Sequence, residues 1–340
     1  MTGSGVSVIM PTFNRAQFIP RAIASCLGQL EEGDELIIVD DGSTDETERV
    51  VAEFRNRCRY IKSENRGAGR ARNIGLDAAS GSLVGFIDSD DEWTPGKLKI
   101  QREFMRRMPE VAYCFSDFRV VEEATGREHG AGVVAWSLDR RPWEQILGAG
   151  RPVSSVMDLP RGVPDFSFHV GSMYLNELSA NYINVNTLLV RRGARTRDVR
   201  FAEDTPTYED WEYFGALSGR GAGAYLDVET ACQHNHGGQR LTDAHITECA
   251  RARVRIMQRV WGSDRSFLAD NGRIYQKVLD EQNLLAAKGL LARGEVAAAK
   301  AHLRSMERPP VVYRLISRLP DATVRGLTRT YKCSKGWLST

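Results

Sequence analysis

The sequence lacks long hydrophobic runs, a strong net charge and any cysteine spacing typical of a metal or disulfide site. No stretch approaches the ~18 apolar residues of a membrane-spanning helix, which excludes an integral membrane protein. A net charge of +2 over 340 residues gives no reason to expect a nucleic-acid partner. The 6 cysteines are scattered without a CxxC pair, which favours reduced thiols in a cytoplasmic protein over a zinc or disulfide framework. The chain enters a predicted strand at Val6, so we expect no signal peptide.

What the sequence contains instead is a regular alternation of apolar runs and helical patterns. The predicted strands are Val6–Met10, Glu35–Val39, Tyr60–Ile61 and Leu83–Ile87. A helical pattern follows each of them, and this alternation predicts an α/β fold with a largely parallel sheet flanked by helices. Ser43 and Glu46 have the spacing of a capping box for the helix after the second strand.

Three polar segments follow the ends of these strands: Pro11–Arg15, Asp40–Asp45 and Asp88–Asp91. Ligands of such sheets bind outside the carboxyl ends of the strands, so we expect the three segments to form one site. The last segment places three aspartates within four residues, and their mutual repulsion favours a bound Mg²⁺ or Mn²⁺. A solvated acidic loop before the helix near Pro95 is the alternative.

Four motifs occur in an order and spacing that match a known enzyme family: Val6–Arg15, Val39–Asp45, Asn65–Gly75 and Asp88–Asp91. The set resembles glycosyltransferase family 2, whose members have the GT-A fold. A lone DxD is weak evidence, but the ordered set is specific. Further along, the resemblance extends to an acceptor-side strand, a Glu-Asp element and a histidine-containing segment, at Asn184–Arg192, Tyr208–Glu212 and Gln233–Thr242.

The resemblance implies a site for a nucleotide diphosphate sugar, with a UDP- or dTDP-type donor favoured. It assigns the donor to Pro11, Thr12, Asn14, Asp40, Asp41, Arg72, Asp88 and Ser89. It assigns a divalent metal, Mn²⁺ or Mg²⁺, to Asp88, Asp90 and His236. Asp91 is an alternative to Asp90 as ligand, and His234 is the weaker alternative to His236, which better fits the spacing to Gly238 and Thr242. Asp41, or Asp40 in its place, would accept the imide N–H of the base.

Asp210 is the general base that the resemblance implies, with Glu209 and Glu212 as competitors. A carboxylate that takes the proton of the acceptor hydroxyl needs no covalent intermediate, so transfer would invert the sugar in one displacement. The expected acceptor is a hydroxyl of a glycan, glycolipid or other molecule in surface polysaccharide biosynthesis. A carboxylate that merely favours the helix N-terminus is the structural alternative for Asp210.

Two other functions are open at this point. A nucleotidyltransferase would also use carboxylates and metal, but it would need a Gly-rich basic phosphate loop after the first strand, where Pro11–Asn14 stands. A non-catalytic sugar-binding or scaffold protein is the other alternative. The presence of Asp88, Asp90, Asp210 and His236 together argues against it.

The expected organisation is a GT-A domain over residues 1–242, with a donor half of about 1–120 and an acceptor half of about 121–242. A helical region follows over 243–306, in which Tyr275–Leu291 and Val296–Met306 resemble one tetratricopeptide-like hairpin. The segment 307–340 is basic, and Arg304–Lys335 contains 8 basic residues against 2 acidic ones. Interleaved apolar residues make it a candidate for peripheral membrane contact, unless they pack on the hairpin.

Overall fold

The computed structural model describes residues 3–137, 139–205, 207–237 and 246–333. The chain divides into two compact units, the first of Met1–Asp204 with Glu209–Gly238, the second of Thr205–Tyr208 with Gln239–Thr340. Three predicted features lie outside the described residues. They are the domain boundary at residue 242, Gly238 and Thr242 of the histidine-containing segment, and the end of the basic segment beyond residue 333. The three-part division therefore stays a prediction.

The first unit is built on one 11-stranded sheet in the order β3-β2-β1-β4-β10-β6-β11-β9-β8, with β5 on β11 and β7 on β6. The strands are β1 Gly3–Thr12, β2 Glu35–Asp40, β3 Arg59–Lys62, β4 Gly81–Phe86, β5 Glu92–Trp93, β6 Tyr113–Glu122, β7 Arg127–His129, β8 Arg151–Pro152, β9 Ser167–Gly171, β10 Leu189–Arg191 and β11 Gly223–Asn235. Strands β1 to β4 run parallel, while β10 lies antiparallel between β4 and β6. The predicted α/β class, with a mixed and mostly parallel central sheet, is confirmed.

Helices cover this sheet. They are α1 Ile19–Leu27, α2 Thr47–Ala52, α3 Ala68–Ala78, α4 Lys97–Arg107, α5 Gly132–Ser137, α6 Trp143–Ile146, α7 Tyr174–Ser179 and α8 Glu209–Ser218, with 3₁₀ turns at Val153–Ser155 and Val185–Thr187. In the central strands consecutive side chains are buried, as at Val8, Ile9 and Met10 of β1, all 0% exposed. Continuous burial of this kind is typical of parallel strands covered on both faces.

The strand register brings the three polar segments to one edge of the sheet. Thr12 of β1 pairs with Asp40 of β2, and Ile9 of β1 pairs with Phe86 of β4. The loops after β1, β2 and β4 therefore leave the sheet side by side. We call this the carboxyl edge, and it holds the candidate site.

The predicted capping box at the start of α2 is wrong. The helix begins at Thr47, whose N–H donates to Asp45 Oδ1 at 3.0 Å. Ser43 lies too far upstream and its hydroxyl instead accepts the N–H of Asn14 at 2.9 Å. The serine thus joins the loops after β1 and β2, a contact that local spacing does not reveal.

The second unit is helical. Its helices are α9 Ile246–Val260, α10 Arg265–Arg293, α11 Val296–Ser305, α12 Val311–Arg318 and α13 Asp321–Cys333. The predicted hairpin corresponds to α10 and α11, which are joined at Gly294 with φ 82°. The apolar cluster of this hairpin includes Leu290, Val296 and Leu303. Val324 of α13 belongs to the same cluster, so another helix of the second unit buries part of the hairpin's apolar surface. Within the described ranges no helix combines the length and apolarity that crossing a bilayer requires.

Two glycines of α10 are expected to respond oppositely to alanine. A Cβ at Gly289 would lie 1.9 Å from Oγ1 of Thr247, a fully buried β-branched residue of α9, whereas a Cβ at Gly272 meets nothing within 4 Å. Gly272→Ala should raise the free energy of unfolding by about 0.5–1 kcal/mol through helix propensity. Gly289→Ala should lower it by about 1–3 kcal/mol through overpacking. Thermal or urea unfolding of both variants checks this, and equal stability of the two would contradict the described packing of α9 on α10.

Candidate active site

The acidic loop, Asp88–Asp91, is held in place by Asn186 of the second 3₁₀ turn. The Asn186 carboxamide accepts the N–H of Asp88 at 2.7 Å and donates to Asp91 Oδ2 at 2.7 Å. Its own carbonyl accepts the indole N–H of Trp93 at 2.8 Å. Asn186 is 2% exposed, so both ends of the acidic loop are fixed by one buried amide.

Both carboxylate oxygens of Asp91 accept hydrogen bonds that hold the acidic loop in place. Its second oxygen, Oδ1, accepts the N–H of His234 at 2.8 Å. Burial, followed by the negative charges of Asp90 and Asp88, raises the pKa of Asp91 well above its ordinary value. With both oxygens already bonded to the protein, Asp91 is the less suitable of the two alternative metal ligands.

Asp90 faces basic groups from two other segments. Its Oδ2 atom lies 3.0 Å from Arg15 Nε and 3.0 Å from His236 Nε2. Burial alone would raise the pKa of Asp90, but the hydrogen bond from His236 and the charge of Arg15 outweigh it and lower that pKa. The His236 ring stacks on Phe18 at 4.3 Å, which orients its Nε2 atom toward Asp90.

Arg72 of α3 links the acidic loop to the segment of the expected base. Its guanidinium donates to Asp88 Oδ1 at 2.7 Å and to Glu209 Oε1 at 2.8 Å. Arg72 is only 5% exposed. A buried cation between two carboxylates is held firmly, because removing either partner leaves an uncompensated charge. Glu209 is thereby engaged in an ion pair, which leaves Asp210 as the better candidate for proton transfer.

Asp210 stands in the first turn of α8, next to this ion pair. Its Oδ1 accepts the N–H of Trp211 at 2.7 Å. Burial and then the charge of Glu209 raise the pKa of Asp210 to about 7, against the lowering effect of Arg72. A carboxyl group with this pKa can accept a proton near neutral pH, as a general base must.

The loops after β1 and β2 supply the remaining predicted donor residues. Asn14, with φ 51°, accepts the N–H of Thr44 at 2.8 Å. Asp41 accepts the backbone N–H groups of residues 66 and 67 at 2.9 and 2.7 Å, and Asp40 accepts Tyr60 Oη at 2.5 Å and Ser43 N at 2.7 Å. Both carboxylates are therefore already bonded to the protein, and base recognition by either stays a prediction.

Pro11, Thr12 and Ser89 are buried at the same edge. Thr12 is 3% exposed, and within the described chain its hydroxyl has no hydrogen-bond partner. A buried hydroxyl without a partner is rare in native proteins. It fits a position that contacts a bound donor, as predicted for Thr12.

Among the residues that the structure describes, we consider two groups of side chains with the chemistry to hold a divalent metal. Asp90 and His236 combine an oxygen and a nitrogen donor 3.0 Å apart, a set that suits Mn²⁺. The assignment of a metal to these two residues together with Asp88 stays a prediction, because Asp88 Oδ1 already accepts a hydrogen bond from Arg72 at 2.7 Å. The second group is Glu92, Cys232 and His234, whose ligand atoms lie within 4.8 Å of one another. There His234 Nε2 already contacts Glu92 Oε2 at 2.9 Å.

Removal of the Asn186 amide should destabilise the first unit. Asn186→Ala leaves the Asp88 N–H and Asp91 Oδ2 without a partner in a buried place, so the free energy of unfolding should fall by about 1–3 kcal/mol. Asn56→Ala, at an exposed position of the same unit, should change it by less than about 0.5 kcal/mol. Urea unfolding measures both, and equal effects would mean that Asn186 does not support the acidic loop.

Sequence reasoning missed Asn186, Arg15 and the partner of Arg72. Asn186 and Arg15 both lie inside the motifs that carry the family resemblance, but no role was predicted for them. Glu209 was considered only as a competing base. The contacts that these residues form join positions 75, 95 and 137 apart, so spacing offers no signal for them.

Comparisons with known proteins show which family and which fold this chain resembles. Residues 7–148 match the family model described as Glycosyl transferase family 2. A relative from Escherichia coli, UDP-Glc:alpha-D-GlcNAc-diphosphoundecaprenol beta-1,3-glucosyltransferase WfgD, is 36% identical over 118 residues, 34% of this chain and 46% of that protein. The chain spans less than half the length of the curated relatives it matches.

Two solved structures share the fold. S. aureus TarS 1-349 in complex with UDP-GlcNAc has a TM-score of 0.61 and 17% identity, over 98% of this chain and 93% of that one. The mannosyltransferase PcManGT from Pyrobaculum calidifontis, in complex with GDP-Man and Mn²⁺, has a TM-score of 0.50 and 16% identity, over 96% and 87%. Residues 7–148 are thus similar to glycosyltransferase family 2, and the sheet with its carboxyl edge has the GT-A fold of these solved structures.

Proposed function

We propose that the chain transfers a sugar from a nucleotide diphosphate sugar to an acceptor hydroxyl, with metal dependence and with inversion. The observation that carries the proposal is the bridge made by Arg72 between Asp88 and Glu209. It ties the acidic loop to the segment that holds Asp210. One site thus combines groups suited to a diphosphate with a carboxyl group suited to proton transfer.

The donor half of the site uses the loops at the carboxyl edge. A uridine or thymidine diphosphate sugar is the favoured donor, with Thr12, Asn14 and Asp41 toward the nucleoside. The solved relative TarS 1-349 was crystallised with UDP-GlcNAc, which supports a uridine nucleotide. Asp90 and His236, with Asp88, would hold Mn²⁺ or Mg²⁺. When bound, the ion neutralises the diphosphate charge and acts as a Lewis acid on the leaving group.

The chemical step needs one base. The acceptor oxygen forms a bond to the anomeric carbon while the bond from that carbon to the diphosphate oxygen breaks. Asp210 takes the hydroxyl proton, and the nucleoside diphosphate leaves with the bonding electron pair. Attack opposite the leaving group inverts the anomeric configuration. Arg72 keeps Glu209 and Asp88 in place during this step and balances their charge.

The acceptor is proposed to be a glycan carried on a lipid. The relative WfgD is named for transfer to a GlcNAc-diphosphoundecaprenol, which supports an acceptor of this class in polysaccharide or glycolipid synthesis. The identity of the acceptor sugar and the linkage would be set by the region between β6 and β10, where the sequence carries no recognisable pattern.

Slow hydrolysis of donors in the absence of an acceptor tests the proposal. The full chain is incubated with a panel of nucleotide diphosphate sugars and Mn²⁺, and release of the nucleoside diphosphate is measured. We expect release from at least one donor, abolished by a chelator. No release from any of them, with metal present and the protein folded, would favour the non-catalytic binding protein instead.

A further inference from the structure

The helix α12 exposes several large apolar side chains. In the part of the chain that the structure describes, 9 large apolar side chains are exposed, and 4 of them lie at Val311, Val312, Leu315 and Leu327. The first three lie on α12, and Val311 and Leu315 are 68% and 58% exposed. Single exposed apolar residues are ordinary. Three on a helix of 8 residues need a partner.

The rest of α12 is anchored, so its exposed face has a fixed direction. Tyr313 and Ile316 pack on the apolar cluster that α10 and α11 form. Ser317 is buried, and its carbonyl accepts Arg304 Nη2 at 3.2 Å. The helix therefore cannot roll to bury its exposed valines and leucine without breaking these contacts.

Arginines accompany the exposed apolar side chains. Because residues three and four apart share a helix face, Arg314 and Arg318 lie on the same face as Val311 and Leu315. From residue 304 to residue 327 the chain has 5 arginines against 2 acidic residues. One of those acids, Asp321, is already paired with the ammonium group of Lys300. We call the exposed face of α12, with Val311, Val312, Leu315, Arg314 and Arg318, the C-terminal surface.

We propose that the C-terminal surface docks on a lipid bilayer that carries anionic headgroups. Such a bilayer offers apolar cover to valine and leucine side chains and negative charge to the arginines beside them. A second copy of this chain would place arginine against arginine, which repels. A nucleic acid would pair with the arginines but leave the apolar side chains in water. The inference uses only the second unit and does not depend on the transfer reaction.

Co-sedimentation of the full chain with vesicles tests the proposal. We expect binding to vesicles that contain phosphatidylglycerol and little binding to pure phosphatidylcholine, with a loss of binding as salt rises. Leu315→Glu should weaken partitioning by on the order of tenfold, because it places a carboxylate at the centre of the surface. The double variant Arg314→Glu with Arg318→Glu should weaken it at least as much.

Matched controls use the same changes elsewhere. Ile274→Glu alters another exposed apolar residue of the second unit, and Arg161→Glu with Arg195→Glu alters two exposed arginines of the first. Both control variants should bind vesicles like the wild type. Thermal unfolding of each variant checks that it is folded. Equal binding of the Leu315→Glu variant and wild type, equal binding to both vesicle types, or a change in oligomeric state with no change in vesicle binding would each overturn the proposal.

Discussion

Asp210→Asn should reduce turnover by a factor of about 10² or more while leaving donor binding close to normal. Asparagine keeps the shape of the side chain and its contact with the Trp211 N–H, but it cannot accept the proton of the acceptor hydroxyl. Loss of a general base commonly removes about 10²–10⁴ of the rate. Turnover with donor and acceptor, together with calorimetric titration of the nucleoside diphosphate, measures the two effects separately.

The pH profile of the wild type supplies an independent readout. Because burial and the charge of Glu209 raise the pKa of Asp210 to about 7, the base is protonated and inactive below that pH. The value of kcat/KM should therefore rise with pH through a limb near 7 and then level off. The Asp210→Asn variant should lose this limb. A variant that keeps more than about a tenth of the turnover, with the limb intact, would show that Asp210 is not the base.

Asp90→Ala should abolish the metal-dependent part of nucleotide diphosphate binding. Asp90 is the carboxylate of the acidic loop that faces His236 and Arg15, whereas Asp91 is committed to Asn186 and the backbone of His234. Loss of groups that support a metal ligand weakens metal binding by about 10–100-fold, and loss of a ligand should do at least as much. We expect the Kd of UDP, measured in the presence of Mn²⁺, to rise by about tenfold or more.

The control for this substitution is Asp158→Ala, an exposed aspartate of the same unit, which should bind UDP and Mn²⁺ like the wild type. Titration in a chelator should give the same weak affinity for the wild type and both variants. Equal affinities of the wild type and the Asp90→Ala variant in Mn²⁺ would remove Asp90 from the metal site.

The position of the site could be predicted from the sequence because it depends on local patterns. Apolar runs that end in polar turns place the loops after β1, β2 and β4 at one edge of the sheet. This placement does not depend on the sequence that follows them. The contacts that hold the site together could not be predicted in this way. Asn186 reaches Asp91 across 95 positions, and Arg72 reaches Glu209 across 137. Such partners are set by the tertiary fold, which spacing does not encode.

Local sequence signals also compete at the start of α10, where the predicted helix boundary differs from the observed one. The long helix α10 begins at Arg265, ten residues before its predicted start at Tyr275. The dipeptide Asn271-Gly272 favours a turn when it is read alone. Asp264 starts the helix upstream by accepting the N–H of Phe267 at 2.9 Å, and packing against α9 and α11 outweighs the low helix propensity of the glycine.

The central claim is that the carboxyl edge binds a nucleoside diphosphate together with a divalent metal. A thermal-shift panel of nucleoside diphosphates and their sugars, each with and without Mn²⁺, tests it most directly, because a ligand that binds only the folded state raises the melting temperature. The account predicts a rise with at least one uridine or thymidine diphosphate that requires the metal and is lost in the Asp90→Ala variant. The absence of any shift across the panel, or a shift that is the same without metal, would contradict it.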